Sequence, residues 1–409
     1  MLRAIRAAWA QAVPGVADAA ARAGETAASA AGPLAALWTF PAVLSSAFVI
    51  AWGAEVAQFF MSQGLALALL AWLQTLPEFA VEADIAWRQN VPNMTANFTG
   101  SLRLLVGLGW PMIFFVASFM NKRKTGAWLK ELVLDEDHAI EVIGLLVPIV
   151  YFTFIWWKAT LTIWDSLVLA GLYFFYLYIL HQMPPKDHEE IDELDFVPRK
   201  VMRLRPGLRG AATFGLFVLG GVVLYECTHP FVDSLKALAL AAGITEFVFI
   251  QWVAPFLSEF PEFLSAFRWA SRVREAPMAL MNVASSNINQ WTMLAAMIPV
   301  VYSFSLGHVS DIAFDDMQRH EIRLTILQSL LGMVLLLNMR YSGLEALAIF
   351  LLWAIQFFVP GWREEIQLVY AILIVIGIVQ VFRGRRTVDA FHVFLRHWKA
   401  RVVARPAES

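Results

Sequence analysis

Charge is scarce in this chain. Of 409 residues only 16% are Asp, Glu, Lys or Arg, 59% are hydrophobic, and the mean hydropathy is +0.61. Soluble domains carry about 25% charged residues, so a water-soluble globule is excluded. Cysteine is almost absent. Cys227 stands alone, which excludes an intrachain disulfide and a cysteine-based metal cluster. No HExxH, GxSxG or protease-type pair of intramembrane aspartates occurs, so the chain is expected to be no enzyme and to hold no resident cofactor. No nucleic-acid signature appears, and a net charge of -2 says nothing about partners.

Long apolar runs are what is abundant. Several reach the roughly 20 residues that cross a bilayer, and 16 Trp with 31 Phe suit lipid-facing surfaces and interfacial belts. The chain divides into a tail over 1–33, a first unit over 34–181, a polar loop over 182–209, a second unit over 210–360, a further helix over 361–383 and a basic tail over 384–409. Eleven spans are expected, at about 34–57, 63–87, 94–119, 139–157, 161–181, 210–228, 244–271, 277–305, 322–338, 343–360 and 365–383. With loops assigned alternately to two sides, 21 Lys and Arg fall on the side of the central loop and C-terminal tail, and 9 on the other. The positive-inside rule then puts the N-terminus outside and the central loop and C-terminus in the cytoplasm, as in a multi-pass protein of a plasma or inner membrane. Nothing in the sequence bears on oligomeric state.

Two acidic, proline-containing stretches interrupt the apolar runs. Pro77-Glu78-Phe79 in "WLQTLPEFAVEADIAW" recurs 184 residues later as Pro261-Glu262-Phe263 in "FLSEFPEFLSAF". "NFTGSLRLL" from Asn97 recurs at offset 185 as "NVASSNINQW" from Asn282. Asp135, Glu141 and Asp165 match Asp315, Glu321 and Glu345 at offset 180. This is a diverged duplication. Each copy holds five spans, an odd number, so the second copy enters the membrane upside down. The expected fold is an all-α polytopic membrane protein of two inverted five-helix repeats plus one extra C-terminal span.

Inverted repeats with interrupted helices build secondary transporters, with ion sites near the midplane. Pro77 and Pro261 cannot donate to the carbonyls of Leu73 and Leu257, and a freed carbonyl at membrane depth needs a partner. A hard cation supplies one and wants oxygen ligands. Gln74, Thr75 and Glu78 offer them in the first copy, and Ser258, Glu259 and Glu262 in the second. Asn97, Ser101, Ser286, Asn287 and Asn289 add more from the following spans. Intramembrane acids are functional by default. Glu259 reads equally as a ligand or as half of a salt bridge. Asp84, four residues before Arg88, is expected to pair with it. The acids at 135–141 and 315–321 are expected to start helices. Glu55 and Glu226 form a weaker candidate pair at offset 171.

At these residues the chain resembles the sodium/calcium exchangers of the cation/calcium antiporter superfamily. "QTLPE" and "NFTGSL" in the first copy, and "SEFPE" and "NVASSN" in the second, are similar to that family's paired signatures. The resemblance implies central glutamates at Glu78 and Glu262, flanking ligands at Gln74/Thr75 and Ser258/Glu259, helix ligands at Asn97 and Asn282, and exchange of Ca2+ against Na+ or H+ by alternating access. A cation channel, or a transport-altered relative on the same scaffold, is the alternative. The chain departs from the pattern at Gln74, Glu259, Leu102 and Arg103. Arg103 and Glu259 each add a full charge, so the two are expected to compensate each other.

Overall fold

The computed structural model describes residues 33–57, 59–183, 194–241 and 254–403. Residues 1–32 of the expected tail over 1–33, residues 184–193 of the expected loop over 182–209 and the start of the seventh span lie outside the described residues. The rest is helical. In the first half α1 is Ala36–Ala57, α2 Gln63–Gln74, α3 Leu76–Trp87, α4 Val91–Leu104, α5 Trp110–Thr125, α6 Ala139–Lys158 and α7 Ile163–His181. A short α8, Phe196–Met202, sits in the central loop. The second half runs α9 Pro206–Ala241, α10 Ala254–Ser258, α11 Phe260–Ser271, α12 Ala276–Asn289, α13 Ala295–Leu306, α14 Asp316–Leu336 and α15 Gly343–Phe358. Then come α16, Arg363–Phe382, and an amphipathic α17, Asp389–His397.

Among the described residues, six helical stretches are long and apolar enough to cross a membrane: Ala36–Ala57, Val91–Thr125, Glu136–Lys158, Ile163–His181, Pro206–Cys227 and Arg363–Phe382. Their outer faces carry large exposed apolar side chains, such as Phe154, Phe174, Leu219, Leu368 and Phe382. The interior holds fully buried Glu78, Glu141, Glu259 and Glu262. A surface more apolar than parts of the core suits lipid as the solvent.

The two halves interlock. α2 packs on α12 and α3 on α13, while α10 packs on α4 and α11 on α5. α14 lies behind α4, and α6 behind α12. Each interrupted helix therefore faces the long helix of the other half. Four short strands tie the ends. β1, Glu131–Val133, pairs antiparallel with β4, Arg340–Ser342, and β2, Thr160–Leu161, with β3, Ile312–Ala313. Of the acids expected to start helices, Asp315 caps α14 in a capping box and Glu141 lies in the first turn of α6, whereas Asp135 makes no side-chain cap bond. Asp165 and Glu345 form capping boxes at α7 and α15 as well. Glu321 does not start its helix. It lies in the second turn of α14, and both it and Glu141 are buried.

Candidate functional site

Each proline marks a break. α2 ends at Gln74, and α3 starts again with Pro77 in its first turn, where the missing N–H has no intrahelical partner to lose. α10 ends at Ser258, and α11 starts again with Pro261 in its first turn. Glu78 and Glu262 thus sit one residue after each proline, in the first turn of a half-helix. The carbonyl of Leu73 is met by the Thr75 N–H at the cap, so it is less free than the proline alone implies.

The long helices show a second matched feature. A π turn spans Leu105–Gly109 between α4 and α5, and another spans Gln290–Leu294 between α12 and α13. Their starts are 185 residues apart, the same offset as Asn97 and Asn282. Such turns shift the side-chain register and recur at functional sites. At Gly107 the turn presses against Trp353, and a Cβ there would come within 2.1 Å of the indole.

Glu78, Glu259 and Glu262 converge. All three are at most 1% exposed. The Glu259 carboxyl lies within hydrogen-bonding reach of both Glu78 and Glu262. Gln290 Nε2 bridges two of them, donating to Glu78 Oε2 at 2.6 Å and to Glu259 Oε1 at 2.5 Å. Ser286 Oγ donates to Glu262 Oε1, and Ser101 stands beside Glu78. Among the described residues, none of the three acids pairs with a lysine, arginine or histidine. One oxygen of each is left without a partner, as are Asn97 Oδ1, Asn282 Oδ1 and Ser101 Oγ. Buried acceptors without donors are what a hard cation needs.

Several predicted ligands have other work. Gln74 Nε2 donates to Ser265 Oγ at 2.8 Å and to the Pro261 carbonyl at 3.4 Å, and its Oε1 accepts from Asn282 Nδ2 at 3.4 Å. It is a strut between the halves. Thr75 Oγ1 donates to the Trp72 carbonyl and accepts from Asn289 Nδ2 at 2.6 Å. Ser258 Oγ bonds within its own turn, to the Pro255 carbonyl. Asn97 Nδ2 donates to Glu82 Oε2 at 2.7 Å. Asn287 is buried with neither amide atom partnered. Trp291, edge-on to Phe98 and Phe152, closes an aromatic wall behind α12.

The pairing of Arg103 with Glu259 is wrong. Arg103 Nη2 meets Glu321 Oε2 at 2.7 Å, and Arg363 Nη1 meets Glu321 Oε1 at 2.5 Å. The reason is helical geometry. At about 100° per residue, Arg103 points roughly opposite to Ser101, toward α14 behind α4. Asp84 pairs with Arg88 at 2.8 Å, as its spacing predicts. Glu55 and Glu226 are no matched pair: Glu55 is buried beside Arg268 and Arg272, whereas Glu226 is exposed. Gln290 and Glu82 were missed. Gln290 aligns with Leu105 in the first copy, so the repeat gave no hint. The signal for Glu82 was its place one turn beyond Glu78.

A search of curated protein sequences gives no match. The crystal structure of the H+/Ca2+ exchanger CAX is similar, with TM-score 0.75 and 32% identity, covering 90% of this chain and 91% of that one. A structure of the sodium-calcium exchanger NCX_Mj, soaked with Na+ and Sr2+, matches with TM-score 0.59 and 18% identity over 80% of this chain and 97% of that one. That second likeness is one of fold. The family model described as sodium/calcium exchanger protein matches residues 33–181 and 212–361. The two matched segments hold the two acidic breaks and the two π turns, one set each, and with them the chain is a multi-pass membrane protein that belongs to the sodium/calcium exchanger family.

Proposed function

We propose that this chain exchanges Ca2+ for protons by alternating access at Glu78, Glu259 and Glu262. The observation that carries the reading is three touching carboxylates, buried together, with no basic side chain beside them among the described residues. Like charges in contact cannot all persist in a dry site. They need a divalent cation, protons or both. A third acid stands at Glu259, where the family pattern has a hydroxyl. With Ca2+ bound, one proton balances the third charge; without it, three protons do. The exchange is then about two protons per Ca2+. Similarity to the H+/Ca2+ exchanger CAX over most of both chains supports protons as the counter-ion.

The inverted arrangement is supported by the strands. Paired strands must lie on one side of the membrane. β1 and β3 are repeat equivalents, at offset 180, yet β1 pairs with β4 and β2 with β3. Loops of different rank therefore share a side, which follows if the second five-span copy is upside down. The Lys and Arg bias supports a cytoplasmic side that holds β1, β4, the central loop and the C-terminus.

The test is Ca2+ uptake into proteoliposomes under a pH gradient, a Na+ gradient or neither. Uptake driven by the pH gradient supports the reading. Uptake that follows only Na+ would move the counter-ion to sodium, and uptake indifferent to both would make the protein a channel.

A further inference from the structure

The two halves treat one matched acid differently. Glu141 in α6 and Glu321 in α14 stand 180 positions apart, behind α12 and α4 respectively. Glu321 is held by Arg103 and Arg363. Glu141 is fully buried, and among the described residues neither of its oxygens accepts a hydrogen bond and neither ring nitrogen of nearby His138 makes one. Its nearest basic group is His138, with Nδ1 at 3.8 Å from Oε1. His138 is itself 1% exposed. On the far side, Glu141 Oε1 rests on Gly64, where a Cβ would come within 2.5 Å.

Polar groups continue in both directions. Inward, the Tyr176 ring packs on Gly144, one turn along α6 from Glu141. The Tyr176 phenol shares a hydrogen bond with Ser285 Oγ at 3.1 Å. Ser285 precedes Ser286, which donates to Glu262. Outward, Glu136 and Asp137 lie at the surface, beside Arg396 and His397 of α17. α2 and α12 bring no charged residue to this region. The charged residues of α14 lie toward its N-terminal end, where Arg319 stacks on Trp156 at the far end of α6.

We propose that His138 and Glu141 are a proton station, through which protons reach the acidic site by a route separate from that of the cation. This rests on the proton-exchange reading above. The ligand is a proton because one carboxylate and one imidazole are too few for Ca2+, which takes about six to eight oxygens. A proton from water binds the His138 ring and passes to the Glu141 carboxylate. The Tyr176, Ser285 and Ser286 hydroxyls each accept one proton and release another, so none changes. Glu262 takes the proton as Ca2+ leaves. No other bond is made or broken.

The test uses the full chain in proteoliposomes, with a pH dye inside and Ca2+ added outside, beside equilibrium Ca2+ binding in detergent. A relay governs rate and not affinity. Glu141→Gln should slow Ca2+-driven proton movement by at least about tenfold and flatten its pH profile, with Ca2+ affinity at fixed pH shifting by less than about twofold. Tyr176→Phe and His138→Gln should do the same, which keeps the proposal testable should Glu141→Gln fail to fold. Absence of proton movement in the wild type would sink the proton-exchange reading itself. Normal proton movement in the wild type, with an unchanged rate and pH profile in the variants, would overturn the station alone. Equal losses of rate and Ca2+ affinity would also overturn it, by making these residues structural.

Discussion

Glu259 touches both other acids, so a proton placed there relieves two like-charge contacts at once. A proton on Glu78 or Glu262 relieves fewer. On the proposed mechanism Glu259 keeps its proton while Glu78 and Glu262 face Ca2+. Glu78→Gln and Glu262→Gln should each weaken Ca2+ binding by at least about a hundredfold, several kcal/mol for one charge lost from a desolvated divalent site. Glu259→Gln, which preserves the shape of a protonated acid, should weaken it by less than about tenfold. Equilibrium Ca2+ titration of the three purified variants checks the order. Glu259→Gln as damaging as the other two would remove its special place. Glu321 supports a second prediction at this scale. Glu321→Leu leaves two buried guanidiniums facing each other, and breaking a buried ion pair from one side costs about 3–5 kcal/mol. Thermal unfolding in detergent should show that loss. Adding Arg103→Leu and Arg363→Leu to the same chain should recover most of it, because a packed apolar triad replaces the ionic one. Failure to recover would mean that the ions themselves carry the role.

At the scale of elements, the paired breaks were legible because proline followed by glutamate at matched offsets is a local signal. Some spans were legible for the same reason: the apolar runs at 34–57, 139–157 and 161–181 match α1, α6 and α7 within a few residues, whereas the run at 210–228 stops well short of the end of α9. The far side of α4 was less so. Ser101 and Arg103 are two residues apart, and the helix turns them about 200° from each other. The sequence held that fact, but a charge near a site invites pairing with the site. The true partner, Glu321, lies 218 residues away on α14, and Arg363 lies beyond the family-matched segments altogether. The π turns were not legible. No residue type marks them, and they were visible only as backbone. The strand pairs make the elements testable. In a chain with Cys227→Ser, single cysteines at Arg88 and Val309 should react with a membrane-impermeant maleimide added outside cells. Cysteines at Lys124 and Arg205 should react only after permeabilisation. Arg88 and Lys124 labelling from the same side would contradict the assignment of loops.

At the scale of the whole molecule, the family-matched core does not close alone. α16 supplies Arg363 to Glu321, and Tyr370 to a buried chain in which Gln356 donates to Gln328 and Gln328 donates to the Arg103 carbonyl. α17 then docks on α6 and contacts Glu136 and Asp137. The C-terminal segment therefore braces α14 and α6, which lie behind α4 and α12, the long helices on either side of the acidic site. This asymmetry lies outside the repeat, so the duplication could not announce it. The site between the halves remains the centre of the account, and one titration tests it most directly. Ca2+ is added to the purified protein in weakly buffered, sodium-free detergent solution, and the protons released per Ca2+ bound are counted. The account predicts about two, falling toward zero as the pH is raised until the site is already deprotonated. Ca2+ binding that releases no protons at any pH, or that appears only when Na+ is displaced, would contradict it.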